Sequence, residues 1–511
     1  MARITFVYPD FESLGVGYLM AACADAGHDV KFVYYEAEDM YLGKARSKPP
    51  YEQIADDICH TEPDIVAFSC VTDNYQHQLQ CSRALKKQQK HIVTIFGGVH
   101  PTAVPEKTLL DGSVDAVAIG EAEHSLVDLL NTSEVSGTFS LPDDPIRGVI
   151  FKKYGATIGV PVEGKLADLD SVPFPYKQPF LSVLKDSIHE YRIMTSRGCP
   201  YHCSYCFNSY MRRLRGSKAI RRRSVDNVIA ELLWAKKEFA VKRIMFVDDS
   251  FTTSKTWVIA FCVKYKAEIG LPFACIANPN YIDEETTGVL SSAGCVNVQL
   301  GIQSLSESIC AQVLDRKSSN AQIGRAIQHL KNNKIMVQVD HMLGIPGDTV
   351  QAQEASVQFY NTYRPNLISI FWLTYYPKTT IVDMAQKAGV ITQSDIDSIE
   401  QGLRLTPESL LTGGSLRNPK PYFSISFLLN WLPLLPDWFV TILLRSRAYR
   451  LFRIRNYLLS TALPRVIQSI FNKKDFRGRS HIVRFVGKTL RISKYRTYRE
   501  RNRGRERNRG Q

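Results

Sequence analysis

Two periods of apolar and polar residues alternate along the first 135 positions. Short apolar runs at 3–8, 30–34, 64–69, 92–96 and 114–119 read as buried strands. Between them, 14–26, 54–60 and 75–89 carry apolar residues at three-to-four spacing and read as helices, the first stopped by Gly27. Strands alternating with helices predict a parallel sheet covered on both faces, with ligands at the carboxyl ends of the strands. The loops at those ends fall at 10–15, 69–74, 97–102 and 120–121.

Residues 136–190 read as a connector. Pro142-Asp-Asp-Pro145 marks a turn, and two short runs flanking Tyr154-Gly155 predict a hairpin. From 191 to 395 six strand–helix units follow one another. Strands are expected near 191–196, 243–248, 272–277, 296–302, 335–342 and 367–373, each followed by a helix. Serial parallel strands with outer helices curl toward a barrel whose chemistry lies at the carboxyl ends. Polar residues there are Asp248, Asp249, Gln299, Gln303 and Ser304, with Arg316 beyond. Tyr375 and Tyr376 end the sixth strand, either as walls of a substrate cavity or as packing.

The region 396–490 reads as mainly helical. Its apolar stretch 423–444 is broken by Asn430, Pro433, Pro436 and Asp437. That falls short of the about 20 uninterrupted residues a bilayer span needs. One or two short helices there either bury a face in protein, as a lid over the barrel mouth, or lie in a membrane interface. Trp431, Trp438 and the following arginines suit the second placement. Residues 491–511, where Arg-Asn-Arg-Gly occurs twice, are too polar to bury a core and are expected to be disordered.

Charge changes the picture only at this end. The chain of 511 residues has a net formal charge of +14. Residues 445–511 hold 21 Lys or Arg against 3 Asp or Glu, a net of +18, which leaves −4 for the rest. Such a segment attracts phosphate, in anionic lipid or in RNA. The apolar neighbour favours lipid, and nucleic acid is the weaker expectation. Met1-Ala-Arg-Ile-Thr-Phe runs straight into a strand, so a cytoplasmic protein is expected, peripheral at most on the inner face of a membrane.

Of 11 cysteines, three cluster as Cys199-x3-Cys203-x2-Cys206, directly after the first barrel strand. Three thiolates on one loop fit structural zinc poorly, because such sites close with four ligands. They fit an iron–sulfur cube with one iron left open.

With Tyr205 in the aromatic slot, C-x3-C-x-aromatic-C resembles the signature of the radical S-adenosylmethionine (SAM) enzymes. The resemblance implies a [4Fe–4S] cluster on Cys199, Cys203 and Cys206, with SAM on the open iron. It implies SAM contacts at Tyr205, at Asp248 and Asp249 (amino group), and at Gln299, Gln303 and Ser304 (ribose and carboxylate). Many relatives carry Glu where this chain has Gln303. Arg316 either pairs the SAM carboxylate or is solvated surface. Gly344-Ile-Pro-Gly-Asp-Thr349 matches the family's fifth-strand loop.

The first 135 residues resemble the cobalamin-binding domain that precedes the barrel in one subclass of these enzymes. The likeness rests on Ser13-Leu-Gly-Val-Gly-Tyr-Leu19, Ala26-Gly-His-Asp-Val30, Gly97-Gly-Val-His-Pro-Thr102 and Gly120-Glu-Ala-Glu123. It implies cobalamin contacts at Leu14, Gly15, Ser69, Thr72, Gly97, Gly98, His100, Gly120 and Glu121. The older cobalamin signature D-x-H-x-x-G reads Asp10-x-Glu12-x-x-Gly15 here, with Glu12 in the place of the cobalt-ligating His. Cys23, Cys59 and Cys81 fall in expected helices, unlike the second cluster of methylthiotransferases.

The implied fold class is α/β. A flavodoxin-like (Rossmann-type) cobalamin domain (1–135) and the connector (136–190) precede a partial (βα)6 TIM-like barrel (191–395) and a mainly α extension. The implied function is a cobalamin-dependent radical SAM methyltransferase acting on an unactivated carbon. A radical SAM/cobalamin oxidative cyclase and an RNA methylthiotransferase are the alternatives. The implied partners are a small-molecule or lipid-like substrate and an electron donor such as flavodoxin or ferredoxin.

Overall fold

The computed structural model describes residues 1–9, 11–35, 51–132, 139–183, 189–216, 220–403, 420–452 and 458–471. The tail expected to be disordered and the Asp10 of the loop 10–15 lie outside these residues.

The first sheet holds β1 (Arg3–Pro9), β2 (Asp29–Tyr35), β3 (Ile65–Ser69), β4 (Val93–Gly97) and β5 (Ala116–Ala118), all parallel, in the order β2-β1-β3-β4-β5. Six of the seven residues of β1 are buried. Ile4, Phe6 and Tyr8 face one hydrophobic cluster and Val7 the other, as a sheet covered on both faces requires. The helix Leu14–Asp25 starts where Ser13 Oγ accepts the Val16 N–H at 3.3 Å. The expected hairpin forms as β6 (Val149–Lys153) and β7 (Ala156–Ile158). It extends the first sheet, antiparallel to β5, rather than standing apart as a connector. A three-residue strand left at an edge would keep unpaired backbone groups, and β6 pairs them.

The second sheet holds β8 (Glu190–Ile193), and a two-residue ladder follows that strand, β9 (Ser196–Arg197) against β10 (Arg221–Arg222). It continues with β11 (Arg243–Phe246), β12 (Phe273–Ala277), β13 (Cys295–Gln303), β14 (Met336–Leu343) and β15 (Leu367–Trp372). All six long strands are parallel, in the order β15-β14-β13-β12-β11-β8. Each neighbours its predecessor, and β8 and β15 do not meet, so the partial six-unit barrel is borne out. Val298, Leu300, Val337 and Val339 pack in the cluster that the outer helices share. The alternate positions carry polar side chains joined across strands, Gln299 to Asp340 at 2.6 Å and Gln338 to Ser369 at 3.0 Å.

The C-terminal apolar stretch forms two helices, Lys420–Trp431 and Asp437–Arg445. Ile425, Leu428, Leu429, Leu432, Val440 and Leu443 join the barrel core. The helices lie against Val350–Tyr363 and the edge strand β15, so they cover the open side of the sheet. Trp438 and Ile442, one helical turn apart, stay 62 % and 53 % exposed. Among the described residues no helix is long and apolar enough to cross a membrane.

A buried polar chain ties the loop after β14 to this extension. His341 lies between the Tyr360 hydroxyl (3.0 Å) and Gln353 Oε1 (2.8 Å), and burial holds its pKa down at about 4, so the ring is neutral. Gln353 Nε2 then donates to Asp348 Oδ2 at 2.8 Å, and the Tyr422 hydroxyl to the Asp348 carbonyl at 3.1 Å. Burial pushes the Asp348 carboxyl up to about 7 from 3.8. The folded state therefore binds a proton that the unfolded chain has released. The stability this contributes is complete below pH 3.8 and lost as pH rises to about 7. In urea unfolding, the stability of wild type minus that of Asp348→Asn is expected to fall by up to about 1.4 kcal/mol per pH unit in that window. Above it the difference should level. A difference independent of pH would mean that folding leaves the pKa of this carboxyl unshifted.

Candidate cofactor site at the junction of the two sheets

The cysteine loop leaves β9 and runs into the helix Phe207–Arg215, whose N-cap is Cys206. Asp248, at the end of β11, fixes the start of this path. Its carboxylate accepts the Thr195 N–H (3.1 Å), the Thr195 hydroxyl (2.8 Å) and the Ser196 hydroxyl (2.5 Å), and it is fully buried. Asp248 thus anchors the strand before the cysteines from behind. Asp249 lies on the loop side, hydrogen-bonded to the Asn208 side chain and the Gly198 backbone and near Cys199 and Cys206. Burial pushes its carboxyl up and the Asp248 charge adds to this, against those hydrogen bonds.

Arg316 reaches the loop from beyond β13. Its Nη1 lies 3.5 Å from Cys203 Sγ and 3.2 Å from the Tyr205 hydroxyl, and its Nη2 donates to the Gly301 carbonyl. Burial opposes its charge, but Tyr205 and Cys203 hold its pKa above the ordinary value. Burial pushes Cys199 up to about 11 and Cys206 up to about 12, with Asp249 and the neighbouring thiols adding. Thiolates persist here only against positive charge, which Arg316 supplies in part and a cluster of iron supplies fully. Among the described residues no three Cys, His, Asp or Glu converge on a single ion. A three-thiol loop of this kind suits a cube, which takes one thiolate at each of three corners. The residues therefore fit the cluster, with Cys199, Cys203 and Cys206 to hold it.

The remaining barrel candidates spread out. Gln299 is engaged with Asp340 on the inner face of the sheet. Gln303 ends β13 with φ +72°, after a break in register against β14. Ser304 is buried, its hydroxyl accepting the Ser306 N–H at 3.2 Å. Tyr375 packs beside Leu373 and Ile381, in the cluster that Tyr205 borders.

In the first domain the carboxyl-end loops meet one another. Gly98 has φ +93°, and a Cβ there would lie 2.5 Å from the Cys70 carbonyl, so only glycine lets β3 and β4 end side by side. Cys70 N–H donates to the Gly97 carbonyl at 2.7 Å, just past Ser69. Thr72 and His100 share a hydrogen bond of 3.1 Å, and burial holds His100 at about 4. Gly120 (φ +73°) donates its N–H to Thr102 Oγ1 at 3.0 Å. Leu14 packs with Tyr18, Ala167, Val172 and Met194, while Gly15 is exposed. Thr72, Gly97, Gly98, His100 and Gly120 thus lie along one edge, where Gly98 makes room for the Cys70 backbone and Gly120 for the Glu163 side chain.

Two carboxylates of this edge are otherwise employed. Glu12 lies 2.5 Å from Lys177 Nζ, both side chains at most 4 % exposed, and Lys177 also donates to the Arg192 carbonyl. Glu121 pairs with Arg197 (2.5 Å), Arg215 (2.8 Å) and Arg221. Arg215 is also held in a bidentate pair by Glu163, both bonds 2.8 Å. The sequence reading missed Lys177, Arg197, Arg215, Arg221 and Glu163. The one available signal was the arginine density at 212–223 in a body of near-neutral charge.

Residues 2–130 match the B12 binding domain family and residues 193–360 the Radical SAM superfamily. With both domains and the three-cysteine loop, the chain belongs to the radical SAM enzymes that carry a cobalamin-binding domain; its cofactors are cobalamin, SAM and a [4Fe–4S] cluster. It is 28 % identical to an uncharacterized methyltransferase of Pyrococcus horikoshii, over 73 % of this chain and 78 % of that one. It is 24 % identical to the anaerobic magnesium-protoporphyrin IX monomethyl ester cyclase of Rubrivivax gelatinosus, over 73 % and 68 %. Its fold is similar to that of the cobalamin-dependent SAM radical enzyme OxsB, with a TM-score of 0.66 at 14 % identity over 94 % of this chain and 81 % of that chain.

Cys203→Ala removes one corner ligand. Iron and sulfide in anaerobically reconstituted protein should fall from about four each per chain to near zero, with the far-ultraviolet circular dichroism unchanged. Retention of about four irons would show that Cys203 is not a ligand.

Proposed function

We propose that this enzyme transfers a methyl group to an unactivated carbon of a small-molecule or lipid-like substrate. One observation carries the reading. The helix that leaves the cysteine loop docks on the carboxyl edge of the first sheet, with the Tyr210 hydroxyl 3.4 Å from the Thr102 carbonyl and Arg215 on Glu121. When bound, the cluster and SAM supply a 5′-deoxyadenosyl radical, and cobalamin carries the methyl group to be delivered. The chain's own task is to bring its two cofactor loops face to face and keep water from the space between them. The methyltransferase relative supports this reading. The cyclase relative supports a second one, oxidative ring closure without methyl donation. Either reaction needs a low-potential electron donor such as flavodoxin or ferredoxin.

Stoichiometry separates the two. Methyl transfer yields S-adenosylhomocysteine together with 5′-deoxyadenosine and a substrate product heavier by one CH2. Turnover that gives 5′-deoxyadenosine alone would sink methyl transfer and leave the cyclase reading.

We also propose that the chain works in the cytoplasm, at the surface of an anionic membrane. Trp438 and Ile442 are exposed on one face of Asp437–Arg445, and the net charge of +18 in residues 445–511 follows. Co-sedimentation with phosphatidylglycerol vesicles should exceed that with phosphatidylcholine. It should drop about tenfold or more in the Trp438→Ser, Ile442→Ser double variant, because each large buried side chain contributes about 1.5–3 kcal/mol. Equal binding to both vesicle types would remove the membrane reading.

A further inference from the structure

The Glu121 carboxylate belongs to the first domain, yet its partners enclose the cysteine loop of the second. Arg197 stands two residues before Cys199 and is bound to Glu121 Oε2 at 2.5 Å. Arg215 is the last residue of the helix that Cys206 caps, and it is bound to Glu121 Oε1 at 2.8 Å. Arg221, on β10, reaches the same oxygen, and β10 pairs with β9 through Arg221 and Arg197 themselves. One side chain therefore holds the entry, the exit and the neighbouring strand of the loop.

Two more carboxylates complete the set. Glu123 binds Arg197 at 2.7 Å, and Glu163 binds Arg215 through both oxygens. Three arginines meet three glutamates, with side-chain exposures from 6 % for Glu163 to 23 % for Arg221. Glu121 is also fixed from its own side. Gly120 before it has φ +73° and donates to Thr102, in the short helix Val99–Ala103 after β4. The path from this helix to the cysteine loop thus runs Thr102, Gly120, Glu121, Arg197, Gly198, Cys199, in hydrogen bonds, ion pairs and chain. Forked guanidinium–carboxylate pairs are directional, so the set fixes an angle as well as a distance.

We propose that Glu121 is a positioning residue that sets the cysteine loop against the carboxyl edge of the first sheet and so couples radical formation to methyl delivery. The inference rests on the methyl-transfer reading. Without the Glu121 charge Arg197 keeps Glu123 and Arg215 keeps Glu163, but no single group ties the entry of the loop to its exit and to β10; an error of about 1 Å in a reacting geometry costs about a hundredfold in rate. A radical formed at the wrong distance yields 5′-deoxyadenosine without methylation.

Glu121→Gln keeps the shape and removes the charge. In holoenzyme reconstituted with cluster and cobalamin, iron and cobalt per chain should equal those of wild type. Amide hydrogen exchange in residues 198–206 should quicken. Pulsed EPR of the reduced cluster and cob(II)alamin should show a broader distribution of dipolar couplings. The ratio of 5′-deoxyadenosine to S-adenosylhomocysteine should rise by about an order of magnitude. A merely stabilising side chain would lower cofactor content and both products together and leave the ratio and the coupling alone; that result overturns the proposal. Should Glu121→Gln fail to fold, Arg221→Gln removes the most exposed partner and must raise the same ratio. Wild type that forms no S-adenosylhomocysteine would sink the methyl-transfer reading instead. The exchange and EPR comparisons would then still decide whether Glu121 holds the loop.

Discussion

Ions buried between two packed domains cost several kcal/mol each unless a partner of opposite charge meets them at hydrogen-bond distance. At the junction of the two sheets Glu12, Glu121, Glu123 and Glu163 are answered by Lys177, Arg197, Arg215 and Arg221. An apolar interface tolerates a slide of an ångström with little loss. This one does not, because each displacement leaves a charge uncompensated in a medium that screens it poorly. The relative placement of the domains is therefore set by charge pairing, and the two cofactor loops inherit that placement.

The same constraint explains residues that a motif reading assigns to ligand contact. Glu12 occupies the position of a cobalt-ligating histidine in the older signature, but its carboxylate is engaged by Lys177, which also stacks on the Tyr191 ring at 4.0 Å. A residue at this position can serve either a metal or the junction, and here it serves the junction. Asp248 is spent likewise on Thr195 and Ser196. That leaves Asp249, beside the thiols, as the carboxylate of the pair turned toward the cysteine loop.

The strand and helix order was legible because it is written in local periodicity. All six barrel strands and their helices lie within a few residues of where the apolar pattern puts them. The cysteine loop was legible because its ligands are seven positions apart at most. What stayed hidden was pairing across long separations. Glu12 and Lys177 are 165 residues apart, Glu121 and Arg197 76, and no local pattern marks either as a partner. The hairpin 149–158 was legible as a hairpin, but its docking on β5 was not, because an edge accepts any strand of the right length. The C-terminal helices were legible as amphipathic; that they cover β15 depends on the open side of a sheet some 50 residues upstream.

Gln303 shows how strain and charge meet at the reacting end of the barrel. A non-glycine residue at φ +72° is held there by its surroundings, and the hold is visible. The register of β13 against β14 slips between Gly301 and Gln303, and the Arg316 guanidinium grips the Gly301 carbonyl at the slip. The same guanidinium lies 3.5 Å from Cys203 Sγ. One cation therefore pins the bulge that aims Gln303 and faces a thiol of the cysteine loop.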